Sequence, residues 1–307
     1  MTRLKQYLYF VFCGMTMGCA DTIPGVSGGT MALITGIYHR LIGAIKSADI
    51  SLLFLLLKGR IGDIWRQLDL GFLLCVLGGI VVAALFVIRV LDLPGLLHSY
   101  PSYVYALFFG LILGSVPLVI RRADGPKDRL SWLLCFAAGA ALAFFIVTQR
   151  PAEMPEGMLY TFIGGAIAIC AMLLPGISGS FLLLMTGQYL LILHAVKDLN
   201  FAVLLPFLAG CLVGVLSFSR LISWLLREYH NATLYFMGGL LAGSLWMIWP
   251  WQHREYLYEG GKEKLIASSP YLPQLSFSTE QLIIAVLAFT GLFVVLGIER
   301  MAKKMPG

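Results

Sequence analysis

Apolar residues along this chain run in blocks about 20 residues long, the length an α-helix needs to cross a bilayer. Six such blocks read as full spans: 70–91, 102–120, 130–148, 202–226, 233–251 and 281–298. Two further apolar regions, 7–45 and 159–195, are each broken in the middle by Pro-Gly-x-Ser-Gly. The short run Leu52–Leu57 cannot span and is expected at the interface. The pattern predicts an all-α polytopic membrane protein.

The blocks come in two matching sets. The first break, Pro24-Gly25-Val26-Ser27-Gly28-Gly29-Thr30, recurs 151 residues later as Pro175-Gly176-Ile177-Ser178-Gly179-Ser180. Thr35-Gly36 pairs with Thr186-Gly187, and Tyr38 with Tyr189, at the same offset. Gly79 to Arg89 aligns with Gly210 to Arg220, and Gly110–Ser115 with Gly239–Ser244. Residues 1–150 thus form a first repeat with hairpin 7–45 and three spans, and 151–307 a second with hairpin 159–195 and three spans. A hairpin that enters and leaves on one side, followed by three crossings, puts the next hairpin on the opposite face. The expectation is two inverted repeats, each with a broken, re-entrant hairpin.

Charge supports that order. With the N-terminus in the cytoplasm, Arg3, Lys5, Arg40, Lys46, Lys58, Arg60, Arg66, Arg121, Arg122, Lys127, Arg129, Arg227, Arg300, Lys303 and Lys304 fall inside. Only Arg150, Lys197, Arg254, Lys262 and Lys264 fall outside. The bias follows the positive-inside rule and places both termini on the cytoplasmic side of the membrane. The outside loop 252–280 is the longest.

Composition narrows the class further. Charged residues make up 12% of the 307, apolar residues 59%. A soluble domain carries about 25% charged residues, so the net charge of +6 reports loop orientation and not a nucleic-acid partner. Arg3 and Lys5 before an apolar run, with Met17-Gly18-Cys19, faintly imitate a cleaved signal. Cleavage there would cut beside a segment whose copy recurs later, so the run reads as a retained helix. The six cysteines lie in apolar segments with no CxxC pair, and the five histidines have no metal spacing. No metal or cofactor is expected.

The breaks carry the candidate chemistry. Proline and glycine end one helix and start another, which leaves backbone N–H groups unpaired. At membrane depth such groups must be buried in protein or line a wet cavity. They also make an anion seat. The candidate substrate-binding set is Pro24, Gly25, Ser27, Gly28, Gly29, Thr30, Pro175, Gly176, Ser178, Gly179 and Ser180. No Gly-Lys-Ser/Thr follows, so this is no nucleotide P-loop. Asp21 is the sole acid between residues 1 and 48, and its mate by the offset is Met172. An intramembrane carboxylate suits a proton carrier; it equally suits a cap on nearby backbone N–H groups. Arg89 and Arg220 are symmetry mates that either pair with a phosphate or snorkel to headgroups. Tyr38 and Tyr189 read as site residues or interface anchors.

These stretches, Gly18 to Thr30 and Leu174 to Ser180, resemble the bacterial polyprenyl-phosphate transporter family of the PopT type, long classed as a domain of unknown function. The likeness extends through the glycine-bearing spans. It implies a transporter, not an enzyme, whose partners are the bilayer and a polyprenyl phosphate lipid. Its expected task is to recycle undecaprenyl phosphate, the carrier lipid of cell-wall precursors, from the outer to the cytoplasmic leaflet. Alternating access, with or without a coupled proton, suits that task. Two other classes fit broken, serine-rich hairpins: an integral-membrane phosphatase of polyprenyl pyrophosphate, and a channel or exporter for a small anion. The phosphatase lacks an acid–base partner, since Asp21 is the sole acid at the motifs and no histidine lies within eight residues of either Pro-Gly.

Single-cysteine probes in a cysteine-free background test the inside–outside order. Probes at Lys127 and Lys262 are expected to react with impermeant reagents from opposite sides; labelling of both from one side would refute it.

Overall fold

The computed structural model describes residues 3–22, 26–123, 129–149, 154–155, 157–259, 262–273 and 278–303. Pro24 and Gly25 lie outside the described residues. The first hairpin consists of α1 (Arg3–Asp21), α2 (Gly28–Thr35) and α3 (Tyr38–Lys46). Then follow α4 (Ile50–Leu57), α5 (Ile61–Gln67), α6 (Leu70–Arg89), α7 (Leu93–Ser99), α8 (Pro101–Ile120) and α9 (Arg129–Thr148). The second hairpin is α10 (Met158–Leu173), α11 (Gly179–Met185) and α12 (Tyr189–Lys197). The chain continues as α13 (Phe201–Glu228), α14 (His230–Ser244), strands β1 (Gln252–Glu259) and β2 (Lys262–Pro270), and α15 (Thr279–Lys303).

Among the described residues five helices are long and apolar enough to cross a membrane: α6, α8, α9, α13 and α15. Their outward faces are apolar, with Leu74, Leu77, Val81 and Leu85 of α6 exposed. In water this would be an aggregation surface; against lipid it is the ordinary exterior. The expected span 233–251 is shorter than anticipated, because α14 stops at Ser244 and the chain turns through Leu245–Met247. The expectation of a purely helical chain also needs one addition. Part of the loop 252–280 forms an antiparallel β-hairpin, β1 on β2, with a register shift at Glu255/Tyr256.

The turns after α2 and α11 match. Gly36 has φ +83° and Gly187 φ +71°, left-handed values that end α2 and α11 at little cost to a residue without Cβ. In both, the next residue closes the turn: Ile37 N–H donates to Ala32 O at 3.0 Å, and Gln188 N–H to Leu183 O at 2.9 Å. α11 and α12 meet at a 110° bend.

Packing repeats as the sequence does. α1 lies along α6 and α10 along α13; α8 pairs with α15 and α9 with α14. The last span of each set therefore packs on the middle span of the other. Small residues make these approaches close. Gly14 faces the Val76 backbone in the first set, and Gly165 faces Phe207 in the second. Gly291 sits against the Leu107 carbonyl, and Gly139 against that of Phe236. A side chain at any of the four would collide with backbone.

Gly139→Leu is expected to lower stability by about 1–3 kcal/mol through overpacking of α9 on α14. Gly78→Leu, where a Cβ would meet nothing within 4 Å, serves as the control. Thermal unfolding in detergent compares them; equal melting points would refute the close approach.

Candidate functional site

α2 is the element around which the site is built. All eight of its residues are buried, although it is too short to hold together by itself. Its N-terminus is capped from two directions. Ser27, extended at φ −120°, accepts a hydrogen bond from Gly29 N–H at 3.2 Å. Asp21, at the end of α1, accepts one from Gly28 N–H at 2.6 Å. Thr30 N–H is bonded to Ser27 O at 3.0 Å. The carboxylate thus serves as a local cap, and the amides expected to stand bare donate to the protein's own acceptors.

The second break touches the first. Gly176 N–H donates to Thr30 Oγ1 at 3.2 Å. Ser27 Oγ donates to Leu174 O at 3.2 Å, with Met172 O at 3.4 Å. Tyr38, at the head of α3, donates its hydroxyl to Leu173 O at 2.7 Å. The last carbonyls of α10 and the first amide of its Pro-Gly turn therefore find partners in the other hairpin. Each buried group would cost about 1–3 kcal/mol if left unpaired.

The starts of α2 and α11 each set a glycine against a side chain of the preceding helix, but the chemistry of the two differs. Gly28 sits against the Asp21 carboxylate, and Gly179 in the same manner against the Met172 side chain. Where the first half places a hydrogen-bond acceptor at its helix N-terminus, the second places the apolar stem of Met172 beside Gly179. Accordingly Ser178, the N-cap of α11, makes no side-chain cap bond. Its hydroxyl pairs instead with that of Ser180 at 2.8 Å. Ser27, Thr30 and Ser178 are buried, whereas Ser180 is exposed. Pro175, Gly176 and Gly179 are buried as well.

The structure brings Asp21, Ser27, Gly28, Gly29, Thr30, Pro175, Gly176, Ser178, Gly179 and Ser180 into one region. It does not bring Arg89 and Arg220 there. Arg89 is exposed at the last residue of α6. Arg220, also exposed, donates to Leu216 O at 2.9 Å and to Ala48 O at 3.3 Å. Tyr38 is 1% exposed and Tyr189 39%, so only the first reaches across the hairpins.

Arg122 is the cation that the sequence reading passed over. In the turn after α8 it donates Nη2–H to Ile34 O at 2.7 Å and closes the C-terminal end of α2 beside Gly36. Burial lowers its pKa, against the opposing pull of Glu299 and Tyr9. Glu299 lies on α15 and is paired with Lys303. Tyr9 of α1 donates to Thr35 O at 2.6 Å. Both ends of α2 are thus fastened. The only sign in sequence was an Arg121-Arg122 doublet at a span end, which is ordinary for a cytoplasmic loop. Among the described residues no group of three or more His, Cys, Asp or Glu is placed to hold a metal ion.

Thr30→Val keeps the shape and removes the acceptor of Gly176 N–H. It is expected to cost about 1–3 kcal/mol in thermal unfolding, while Tyr189→Phe is expected to cost little. An unaltered Thr30→Val melting point would show that the contact between the breaks carries no weight.

With that geometry in place, the relatives of the chain can be compared. A family profile described as undecaprenyl phosphate translocase-like matches residues 17–265, both breaks included. The chain is 39% identical to the polyprenyl-phosphate transporter of Vibrio cholerae, over 98% of this chain and 99% of the relative. It is 32% identical to the polyprenyl-phosphate transporter of Staphylococcus aureus, over 80% of this chain and 88% of that one. No solved structure matches it. The chain is a multi-pass membrane protein and belongs to the undecaprenyl phosphate translocase-like family.

Proposed function

We propose that this protein is a flippase that carries undecaprenyl phosphate from the outer to the cytoplasmic leaflet. Residues 1–150 and 151–307 act as inverted repeats that alternate access to one headgroup seat. The observation that carries this reading is the direct contact of the two breaks, Gly176 N–H on Thr30 Oγ1 and Ser27 Oγ on Leu174 O. The two relatives named polyprenyl-phosphate transporters supply the substrate class.

The chemistry suits a lipid phosphate. Its prenyl chain stays in an apolar surrounding, so only the headgroup needs a polar path. A charge at the bilayer centre costs about 3 kcal/mol or more on insertion scales. The hydroxyls of Ser27, Thr30, Ser178 and Ser180, together with the amides of the breaks, offset that cost. In the described state Asp21 occupies the acceptor position over Gly28 N–H. A phosphate entering the seat takes over that donor, and the displaced carboxylate is repelled by it unless protonated. Proton uptake by Asp21 therefore accompanies headgroup binding. The proton also cancels one negative charge that would otherwise move inward against the membrane potential, at about 2.3 kcal/mol per 100 mV.

Arg89 and Arg220 stay outside this seat in the described state. As arginines at the ends of α6 and within α13, they are proposed to meet the headgroup on its way in or out. Ala substitution is then expected to slow capture and leave the seat intact.

Reconstitution in liposomes tests the proposal. Outer-leaflet undecaprenyl phosphate is expected to disappear with time, faster when the compartment of origin is more acidic. Asp21→Asn, which keeps an oxygen for Gly28 N–H, is expected to abolish the dependence on the pH gradient and to slow flipping about tenfold. Release of inorganic phosphate from the pyrophosphate lipid, with no flipping, would establish the hydrolase reading instead. A pH dependence unchanged in Asp21→Asn would remove Asp21 from coupling.

A further inference from the structure

Outside the two breaks, the structure holds a cavity of about 810 Å³ between α8, α9, the end of α14 and the segment that follows β2. Its walls include Phe109, Ala141, Phe144, Trp246, Trp249 and Tyr271, and no lining residue is charged. The aromatic rings are held edge to face: Phe109 on Trp249 with centroids 5.3 Å apart, and Phe144 on Trp246 at 5.1 Å. Trp249 donates its indole N–H to Tyr271 O at 3.0 Å, so its donor is used and its ring is what it presents. Tyr271 N–H is bonded in turn to Trp251 O at 3.0 Å, which ties the roof to the segment between α14 and β1. Tryptophans are common where a protein meets a membrane surface. Such belts consist of rings facing lipid singly, however, whereas these rings line one open groove together.

We infer that this cavity is the seat of the isoprenoid chain of a polyprenyl phosphate, filled while the headgroup sits at the breaks. The inference rests on the proposed function and adds the tail site to it. Three observations favour an isoprenoid chain over other occupants. The lining has no charge to receive a headgroup or a soluble anion. The volume lies in the range of about 300–1,000 Å³ that takes a drug-sized apolar group; it holds the units next to the phosphate and leaves the rest of a long chain in lipid. Finally, the cavity and the candidate headgroup seat share α14. Leu240 and Leu241 lie against Gly176, where a Cβ would meet their backbone at 3.0 Å. Leu245 on the cavity wall follows Leu241 by about 6 Å of helix rise. Phosphate at one end and chain at the other are thus within the reach of a single molecule.

The consequence is a measure of tail length and shape, which the breaks alone do not supply. Ala141 is exposed on α9, so Ala141→Trp fills the cavity without disturbing a packed contact. Affinity of the detergent-purified variant for a long-chain polyprenyl phosphate is expected to fall about tenfold, as loss of an apolar pocket does, with inorganic phosphate binding and the melting point unchanged. On the wild-type protein, a polyprenyl phosphate with a photoreactive group in its isoprenoid chain is expected to label the peptides containing Phe144 and Trp246. Excess unlabelled polyprenyl phosphate should suppress the labelling, and excess phosphatidylglycerol should not. Equal suppression by phosphatidylglycerol would make the cavity a general acyl-chain groove. Wild-type affinity in Ala141→Trp together with labelling elsewhere would overturn the tail site while leaving the transporter reading intact. If the wild-type protein neither binds nor flips polyprenyl phosphate, the transporter reading falls and the tail site with it.

Discussion

A helix interrupted inside a membrane leaves amides and carbonyls with no water to satisfy them, and the rest of this structure depends on how that is solved. The solution is shared unequally: the first break is capped by its own Asp21 and Ser27, and the second leans on the first. Ser27 and Tyr38 of the first hairpin serve the carbonyls of Leu174 and Leu173 at the second break. Thr30 accepts the amide of Gly176. The second break would not be tolerable in hydrocarbon without the first. The long helices then have a clear task. They hold the short, intrinsically weak helix α2 against the end of α10 and its Pro-Gly turn, and they can do so because glycines let their backbones approach closely.

The two halves share that geometry but differ in charge. Asp21 in one corresponds to Met172 in the other, each against the glycine that opens the following helix. A carboxylate over a helix N-terminus is favourable electrostatically and makes that end the better satisfied of the two. The first hairpin is also the more deeply buried here: every residue of α2 is enclosed, whereas in α11 only Gly179 and Phe181 are. Similar backbones with unequal polar groups are what a carrier needs if one half holds the coupling group while the other contributes mainly hydroxyls. In this reading the protein's own carboxylate keeps the seat filled until the substrate phosphate arrives.

Much of this was legible before any coordinates. The spans show as apolar blocks, and the paired turns at Gly36 and Gly187 follow from Thr-Gly repeated at a fixed offset. The proximity of the Ser27 and Ser178 breaks was foreseeable from the repeat. Other features were not. Nothing in a Tyr pair at residues 38 and 189 says that one is buried across the hairpins and the other exposed, because that depends on how deeply each hairpin is packed. Arg122 looked like one more cytoplasmic charge, yet it caps α2 through Ile34 O. The amides of Gly28 and Gly29 were anticipated as open donors, whereas Asp21 and Ser27 accept from them. Local side-chain caps compete for the same groups as a ligand, and a motif alone does not tell which holds them. The shortness of α14 and the β-hairpin after it escaped notice for another reason: aromatic residues at 246–258 prolong the apolar signal past the point where the helix ends.

The most direct measurement is the position of the phosphorus atom in a structure determined with undecaprenyl phosphate bound. The account predicts it between the two breaks, with phosphate oxygens accepting hydrogen bonds from the hydroxyls of Ser27, Thr30, Ser178 or Ser180 and with Asp21 turned away from Gly28 N–H. A phosphate held elsewhere, with the Asp21–Gly28 and Thr30–Gly176 hydrogen bonds unchanged, would contradict it.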